Sequence, residues 1–205
     1  MPIALQYVVI ALGGMILQST VNGEGSTFVA GFTATNKLYG LLESTAISLG
    51  AAAATYLAQN YGAGEHGRVR AGVRAGFLLS VAGALIVGVA VLPLRELLLS
   101  LFLDTAEEGG PAALAIGTRY LTVMLFFLVV LYLIHLFRNA LQSIGVSVFS
   151  MLSGLAEFLV RVGMAKVVTR LLGVDTLYYI EPLAWLGALL FVVPPYFYYR
   201  RRRLS

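Results

Sequence analysis

Hydrophobic residues are grouped along this sequence into long uncharged blocks rather than short alternating runs. The clearest block, Ala75–Leu94, has 20 residues without a charge and with one hydroxyl group, that of Ser80. As an α-helix rising about 1.5 Å per residue it would be roughly 30 Å long, the thickness of a bilayer's hydrocarbon core. Six such blocks, separated by short Gly-, Pro- or Asp-containing connections, predict six transmembrane helices at approximately residues 3–21, 28–61, 71–94, 114–137, 146–168 and 177–199.

The composition points to the same class of protein. The 205 residues are 59% hydrophobic and 12% charged, with a mean hydropathy of +0.87. Soluble domains have about 25% charged residues, so a globular enzyme with buried helices is disfavoured. Helices satisfy their own backbone hydrogen bonds in lipid, whereas open sheets do not. We therefore expect an all-α membrane protein in which residues 1–205 form a single six-helix bundle.

The basic residues predict how the bundle is oriented. If the helices alternate in direction, one side of the membrane receives most of the arginines: Arg68, Arg70, Arg74, Arg138 and Arg200–Arg203. The other side receives the acidic residues Glu24, Asp104, Glu107, Glu108, Asp175 and Glu181, together with Arg95, Arg119, Lys166 and Arg170. Because basic residues stay in the cytoplasm, we expect a multi-pass protein of the plasma membrane, the inner membrane of a bacterial cell, with both termini cytoplasmic. The four-arginine tail is interpreted as a topology anchor or an anionic-lipid contact, not as a nucleic-acid site.

Reactive chemistry is scarce in the sequence. The absence of cysteine excludes thiolate metal sites and cysteine nucleophiles. No G-x-x-x-x-G-K-[ST] phosphate-binding loop occurs, so we expect no ATP motor in this chain. The two histidines, His66 and His135, are interpreted as interfacial or packing residues. We expect no catalytic residue, no metal and no cofactor other than a coupling ion, and hence a transporter rather than an enzyme.

The second block has a stripe of polar residues. Spacings of three, four and seven positions place them on one helix face: Thr33, Asn36, Lys37, Gly40, Glu43 and Ser44. An ionised side chain within the bilayer costs at least about 2.5–3.5 kcal/mol, so such residues point to function. The stripe suits a water-filled substrate cavity lined by Thr33, Asn36 and Lys37; the alternative is hydrogen-bonded packing against neighbouring helices. Glu43 is the candidate proton or cation carrier, since desolvation favours a protonated carboxyl group, and Lys37 is either its partner or snorkels outward.

The fifth block contains a second pair of ionisable residues. Glu157 and Arg161 are four positions apart in the order that favours an ion pair along one helix face. Pairing lowers the cost of placing both charges in lipid, which favours a structural role. They remain candidates for lining the substrate cavity.

The connection between the second and third blocks is distinctive in sequence. It reads Gln-Asn-Tyr-Gly-Ala-Gly from Gln59 to Gly64, followed by Arg68 and Gly72. This stretch resembles the loop between the second and third helices of a lobe in the multidrug and toxic compound extrusion (MATE) transporters. Further pieces occur in that family's order: Pro2-Ile3-Ala4-Leu5-Gln6, Val21-Asn22-Gly23-x-Gly25, Arg138-Asn139-Ala140-Leu141-Gln142-x-x-Gly145 and Gly154-x-x-Glu157-x-x-x-Arg161.

The resemblance implies a function and a missing part. The family has two six-helix lobes around a cavity and exports amphipathic or cationic compounds in exchange for Na⁺ or H⁺. This chain has helices for one lobe, similar to the second (C-terminal) one. It therefore implies a partner lobe, either a missing N-terminal half or another copy of the chain, besides membrane lipids and a small-molecule substrate. The alternatives are a flippase of lipid-linked substrates from the same superfamily, or a non-transporting subunit or truncated gene product.

The fourth block departs from one family pattern. Some members have an Asp for cation binding in the fourth helix of this lobe, whereas Leu114–Phe137 contains no carboxylate. The resemblance then leaves coupling to Glu43 or to the missing lobe. Gln59, Asn60, Gly62, Ala63, Gly64, Arg68 and Gly72 are expected to have a structural role in the loop.

Overall fold

The computed structural model describes residues 2–204, so Met1 and Ser205 of the expected 1–205 bundle lie outside it. Within that range the chain forms α-helices and no β-strand. The helices are α1 Pro2–Val21, α2 Ser26–Gly62, α3 His66–Ser100, α4 Gly110–Phe126, α5 Leu128–Ser143, α6 Val148–Gly163, α7 Thr169–Leu172, α8 Ile180–Leu190 and α9 Val193–Arg203. Short 3₁₀ segments at Asn22–Glu24 and Val174–Tyr179 and a π-helical turn at Met164–Val168 connect some of them.

Six membrane spans can be recognised in the described residues. Five segments are long and apolar enough to cross a membrane by themselves: Ile3–Glu24, Ser26–Gly62, His66–Ser100, Val148–Leu172 and Val174–Arg203. The remaining span, the fourth in chain order, is formed by α4 and α5, which are bent by 51° at Phe127. The predicted fold class, an all-α membrane protein with six spans, is confirmed.

The third helix shows how far hydropathy underestimates helix length. It begins at His66 and ends at Ser100, beyond both ends of the predicted span 71–94. The additional turns contain charged residues such as Arg68 and Glu96, which lower the hydropathy without breaking the helix. Hydropathy therefore marks the part of a helix that lies in the hydrocarbon, while the helix itself continues into the headgroup region.

Three spans in the second half of the chain are interrupted. The fourth is bent at Phe127, and the fifth passes through the π-turn, where the Thr169 hydroxyl donates to the Met164 carbonyl at 3.0 Å. The sixth is broken at residues 191–192, just before Pro194 and Pro195. Proline has no amide hydrogen to donate, so it is placed here in the first turn of α9, where no donor is required.

The spans pack as two groups. In one group α2 contacts α3, α4 and α5; in the other α6 contacts α1 and α8. Close approaches depend on glycine: a Cβ atom at Gly31 would lie 2.4 Å from the Ala113 carbonyl oxygen, and one at Gly154 would lie 2.8 Å from the Gln6 side chain. α1 packs chiefly on α6 rather than on α2, which follows it in sequence. A polar cavity lies between the two groups.

Residues near the C-terminal end of α9 contact two of the connections between helices, so these connections lie together at one end of the bundle. An Arg70 guanidinium N–H donates to the carbonyl of Leu204, next to the α2–α3 turn. Arg203 Nη1 donates to the Ile144 carbonyl at 2.7 Å, in the α5–α6 connection. Gly64 and Gly145 turn these two connections with positive φ angles of 75° and 76°, which a residue with a Cβ atom rarely adopts.

Candidate functional site

Four buried charged residues on three spans form one network. Arg138 of α5 donates from Nη2 to Glu157 Oε1 of α6 at 2.8 Å. Arg161, one turn along α6, donates from Nη2 to Glu181 Oε2 of α8 at 2.7 Å and from Nε to Glu181 Oε1 at 3.0 Å. The four residues are between 3% and 8% exposed. Two arginines and two glutamates leave the network with no net charge, which lowers the cost of burying it.

The network is also tied to the backbone and to a serine. Arg138 Nε donates to Ser153 Oγ at 2.7 Å, and Ser153 in turn donates to the Ser150 carbonyl. Ser150 donates to the Arg138 carbonyl at 3.1 Å, so α5 and α6 are bonded to each other in both directions. These bonds hold the guanidinium of Arg138 in one orientation.

The sequence interpretation of Arg138 and Glu181 was wrong. Arg138 was assigned to a cytoplasmic connection and Glu181 to the acidic outer side, whereas both are buried in the bundle. Each is at the end of a predicted span, where a sequence cannot distinguish a charge that faces the bundle from one that faces water. Glu157 and Arg161 do approach each other, with Nη1 and Oε2 3.5 Å apart, but their shorter contacts are with Arg138 and Glu181.

Three members of the network, Arg138, Glu157 and Arg161, form one wall of the polar cavity between the two groups of spans. The cavity has a volume of about 170 Å³ and is lined by residues from α1, α2, α5, α6 and α8: Gln6, Tyr7, Ile10, Glu43, Ile47, Leu131, His135, Arg138, Asn139, Gln142, Glu157, Arg161 and Trp185. Gln6 is 3% exposed, and its Oε1 atom has no hydrogen-bond partner among the described residues. The cavity is therefore polar and large enough for water or a small ion.

Glu43 has a different environment from the two glutamates of the network. Its Oε1 atom lies 3.8 Å from His135 Nε2, and its side chain is 33% exposed. One turn before it, Tyr39 stacks on Trp185 with ring centroids 5.6 Å apart. Glu43 thus has an imidazole neighbour in place of a guanidinium group. His135, interpreted from sequence as an interfacial or packing residue, lines the cavity and is this neighbour.

The predicted polar stripe on α2 divides between two places. Glu43 lines the cavity just described, together with Glu157 and Arg161 of α6. Thr33 and Lys37 line a separate groove, which also contains Phe102 and Leu103 near the end of α3. Lys37 and Glu43 are six residues apart, which at about 100° per residue turns them 120° away from each other. Lys37 is therefore not the partner of Glu43. Asn36 is half-buried and is not among the residues lining either space in residues 2–204.

The motif loop forms the tight turn between α2 and α3. Backbone bonds run from Ala63 N–H to the Gln59 carbonyl at 3.1 Å and from Glu65 N–H to the Asn60 carbonyl at 2.9 Å. Gly72 lies against Tyr56, where a Cβ atom would be 2.6 Å from the ring. Gly62, Ala63, Gly64 and Arg68 are exposed around the turn. This geometry is what a structural loop requires.

The charge network has two residues that sequence reasoning did not assign to a site, Arg138 and Glu181. A usable signal existed, because Glu181 falls inside the predicted span 177–199 and an ionisable residue in a span requires a partner. Within its own block Arg161 has one nearby carboxylate, that of Glu157 four positions earlier. A second acidic partner for Arg161 could therefore have been sought on another span. Which residues pair could not be predicted from sequence. Arg138 and Glu157 are 19 residues apart, Arg161 and Glu181 are 20 residues apart, and each pair joins two different spans.

The fold and the site together define a multi-pass α-helical membrane protein with paired charges around an internal cavity, an arrangement typical of transporters. The sequence profile of the MatE family matches residues 2–167. The chain belongs to the MatE family. Members of this family are transporters.

Individual relatives agree with this family. The probable multidrug resistance protein YoeA of Bacillus subtilis (strain 168) is 31% identical over 108 residues, which cover 52% of this chain and 23% of that protein. A MOP superfamily transporter from Pyrococcus furiosus Vc1, in a structure described as having a binding pocket of reverse polarity, superposes with a TM-score of 0.87 at 17% identity. An outward-facing multidrug resistance MATE family transporter superposes with a TM-score of 0.86, also at 17% identity.

The length of these relatives differs from that of the chain. The superpositions cover 97% and 98% of this chain but 43% and 44% of the two transporters. The chain thus spans less than half the length of the solved transporters that it resembles, and its fold corresponds to one lobe.

Proposed function

We propose that the chain is the second, C-terminal lobe of a cation-coupled multidrug efflux antiporter that exports amphipathic or cationic compounds in exchange for Na⁺ or H⁺. Family membership and the coverage of 43–44% of two transporters support a half-transporter. Alternating access by rocking of one repeat against another requires both repeats. The functional unit therefore contains a second six-helix lobe, either an N-terminal half or another copy of this chain.

The environment of Glu43 is the observation on which the coupling mechanism rests. Glu157 and Glu181 are each neutralised by a guanidinium group at 2.8 Å or less, so exchange of a cation there would leave an arginine unpaired. Glu43 has His135 at 3.8 Å and is partly open to the cavity. Its carboxylate can accept a proton or a Na⁺ ion without disrupting a buried ion pair. Glu43 is the coupling residue of this proposal, and His135 positions it.

The substrate would occupy the space that opens between two lobes. On this lobe the candidate lining residues are Glu157 and Arg161 in the polar cavity and Thr33 and Lys37 in the separate groove. The cavity of about 170 Å³ in the single lobe is smaller than the roughly 300–1,000 Å³ typical of drug-sized ligands. A second lobe would therefore contribute the remaining wall of the substrate site.

The proposal is tested by the accumulation of a fluorescent cationic drug in cells. If the partner is an N-terminal half, cells expressing this chain alone should accumulate as much drug as control cells, and cells that also express a first lobe should accumulate less. If the partner is another copy, the chain alone should lower accumulation. Pull-down of the first lobe by a tagged chain shows whether the two assemble. Assembly without any change in drug accumulation would reject the efflux function and leave a non-transporting subunit.

The orientation belongs to the same proposal. The α2–α3 turn, the α5–α6 connection and the arginine-rich end lie together at one end of the bundle, which supports both termini being cytoplasmic. The chain has no cysteine, so single cysteines can be introduced without background. An impermeant maleimide added to intact cells should label Glu107→Cys and not Glu65→Cys. The reverse pattern would invert the topology.

A further inference from the structure

The groove beside Lys37 has a chemistry opposite to that of the cavity beside Glu43. It has a volume of about 470 Å³ and lies between the first turns of α2 and the end of α3. Its polar residues are Asn22, Ser26, Thr33 and Lys37, and its apolar wall includes Phe102 and Leu103. The volume falls within the range of drug-sized ligands, roughly 300–1,000 Å³.

Lys37 is exposed at this groove and points along it. It is 11 residues from Ser26, which places its backbone about 16 Å along the axis of α2. Side chains on a helix lean towards its N-terminus, so the lysine follows the row that contains Thr33 one turn earlier. Its ammonium group lies 6.0 Å from the centroid of the Phe102 ring.

No carboxylate within residues 2–204 forms an ion pair with Lys37. The six ion pairs of that range involve other residues, and Asp104, Glu107 and Glu108 line an adjoining space rather than this groove. The positive charge of Lys37 is therefore available to a ligand that enters the groove. The hydroxyl groups of Ser26 and Thr33 and the amide of Asn22 add hydrogen-bond donors on the same wall.

We infer that this groove binds a drug-sized amphipathic anion, whose carboxylate or phosphate meets Lys37 and whose apolar part packs on Phe102 and Leu103. The lysine supplies the counter-charge, the neighbouring donors orient the acidic group, and the apolar wall accepts the hydrophobic body. This binding does not depend on the proposed efflux function, because it is a property of the lobe itself. It adds an acidic ligand to a chain otherwise expected to handle amphipathic or cationic compounds.

The two lysines of the sequence, Lys37 and Lys166, make a direct test possible. Reductive methylation with ¹³C-formaldehyde labels both and keeps their charge. In nanodiscs of zwitterionic lipid, the full chain should give two lysine resonances, with Lys37→Arg identifying the first. Lys166 is exposed on the π-turn and serves as an internal control. The probes are decanoate and decylammonium, which have chains of equal length and opposite charge.

Decanoate should shift the Lys37 resonance saturably and leave the Lys166 resonance in place, while decylammonium should shift neither. Decanoate affinity is measured by fluorescence competition. Lys37→Gln should weaken decanoate binding by about tenfold or more, the effect expected for loss of a charged hydrogen bond. Lys37→Arg keeps the positive charge and should retain most of the affinity. Equal shifts of both lysines, or equal responses to the two probes, would overturn the inference.

Two further experimental conditions distinguish a drug-sized anion from a lipid headgroup and from a carboxylate of the first lobe. If nanodiscs with phosphatidylglycerol shift Lys37 before any probe is added and remove the decanoate response, the lysine contacts a lipid headgroup and the drug-sized ligand is rejected. If addition of a first lobe shifts Lys37 and abolishes decanoate binding, the counter-charge is a carboxylate of that lobe, and the inference is also rejected. A decanoate response that persists in both conditions supports it.

Discussion

Glu157 of the buried charge network lines the same cavity as Glu43, but the glutamates of the network and Glu43 differ in their partners. Glu157 and Glu181 each accept from an arginine at 2.8 Å or less, whereas Glu43 has a histidine at 3.8 Å and is one-third exposed. The guanidinium groups hold both network carboxylates in short, buried ion pairs, whereas Glu43 has a longer contact with an imidazole. The comparison favours a structural role for the network and makes Glu43 the candidate for ion exchange in the proposed function.

The largest expected effect is on the stability of the network. Arg161→Met leaves the Glu181 carboxylate buried without its guanidinium partner, which should lower the free energy of unfolding by about 3–5 kcal/mol. Denaturant unfolding of the full chain in detergent measures it. The matched control is Arg119→Met, which removes a pair to Asp175 whose side chains are at least half exposed and should cost less than about 1 kcal/mol. Equal losses in the two variants would contradict a structural role for the network.

A double substitution sharpens the same contrast. Arg161→Met combined with Glu181→Met removes both members of the pair and leaves no unpaired charge between them. It should recover most of the stability lost in Arg161→Met, because apolar replacements of buried ion pairs are often neutral. A double variant as unstable as the sum of its single variants would show that the two charges do not act as a pair.

A smaller effect is expected at the serine that supports Arg138. Ser153→Ala removes the acceptor for Arg138 Nε at 2.7 Å, and loss of a hydrogen bond to a charged group costs about 1.5–3 kcal/mol. Ser100→Ala is the control, since that hydroxyl donates to the Leu97 carbonyl on its own helix. Unfolding midpoints in denaturant should separate the two variants. Identical midpoints would mean that Ser153 does not support the arginine.

The smallest effect on stability is expected at Glu43. Glu43→Gln removes a partly exposed charge with a long contact to His135, so the free energy of unfolding should change by less than about 1 kcal/mol. The same unfolding measurement applies. A loss as large as that of Arg161→Met would place Glu43 within the structural network and remove the distinction between the two regions.

Much of the fold could be predicted from the sequence because it depends on local composition. A block such as Ala75–Leu94 identifies its span regardless of what packs against it, and Gly64 marks a turn wherever the lobe is placed. The bend at Phe127 was beyond such reasoning, since no proline or glycine lies there. Helix ends were also missed, because α3 continues through charged residues that hydropathy counts as loop.

The site could be predicted only in part. Glu43, Glu157 and Arg161 were found because each is an ionisable residue inside an apolar block. Their partners depend on how spans pack: Arg138 of α5 meets Glu157 of α6, and His135 of α5 meets Glu43 of α2. Lys37 was considered a partner of Glu43 for the same reason. Helical spacing places both residues on a broad polar face of α2, but it does not show which neighbouring helix each of them contacts.

The most direct test of the account is gradient-driven transport in vesicles that contain this chain and a first lobe. An imposed Na⁺ or H⁺ gradient should drive movement of a fluorescent cationic drug in the wild type and in Glu96→Gln, an exposed glutamate at the end of α3. In Glu43→Gln the lobes should still assemble and bind the drug, but the gradient should no longer drive transport. Gradient-driven transport that persists unchanged in Glu43→Gln would contradict the central claim that this residue couples the ion to export.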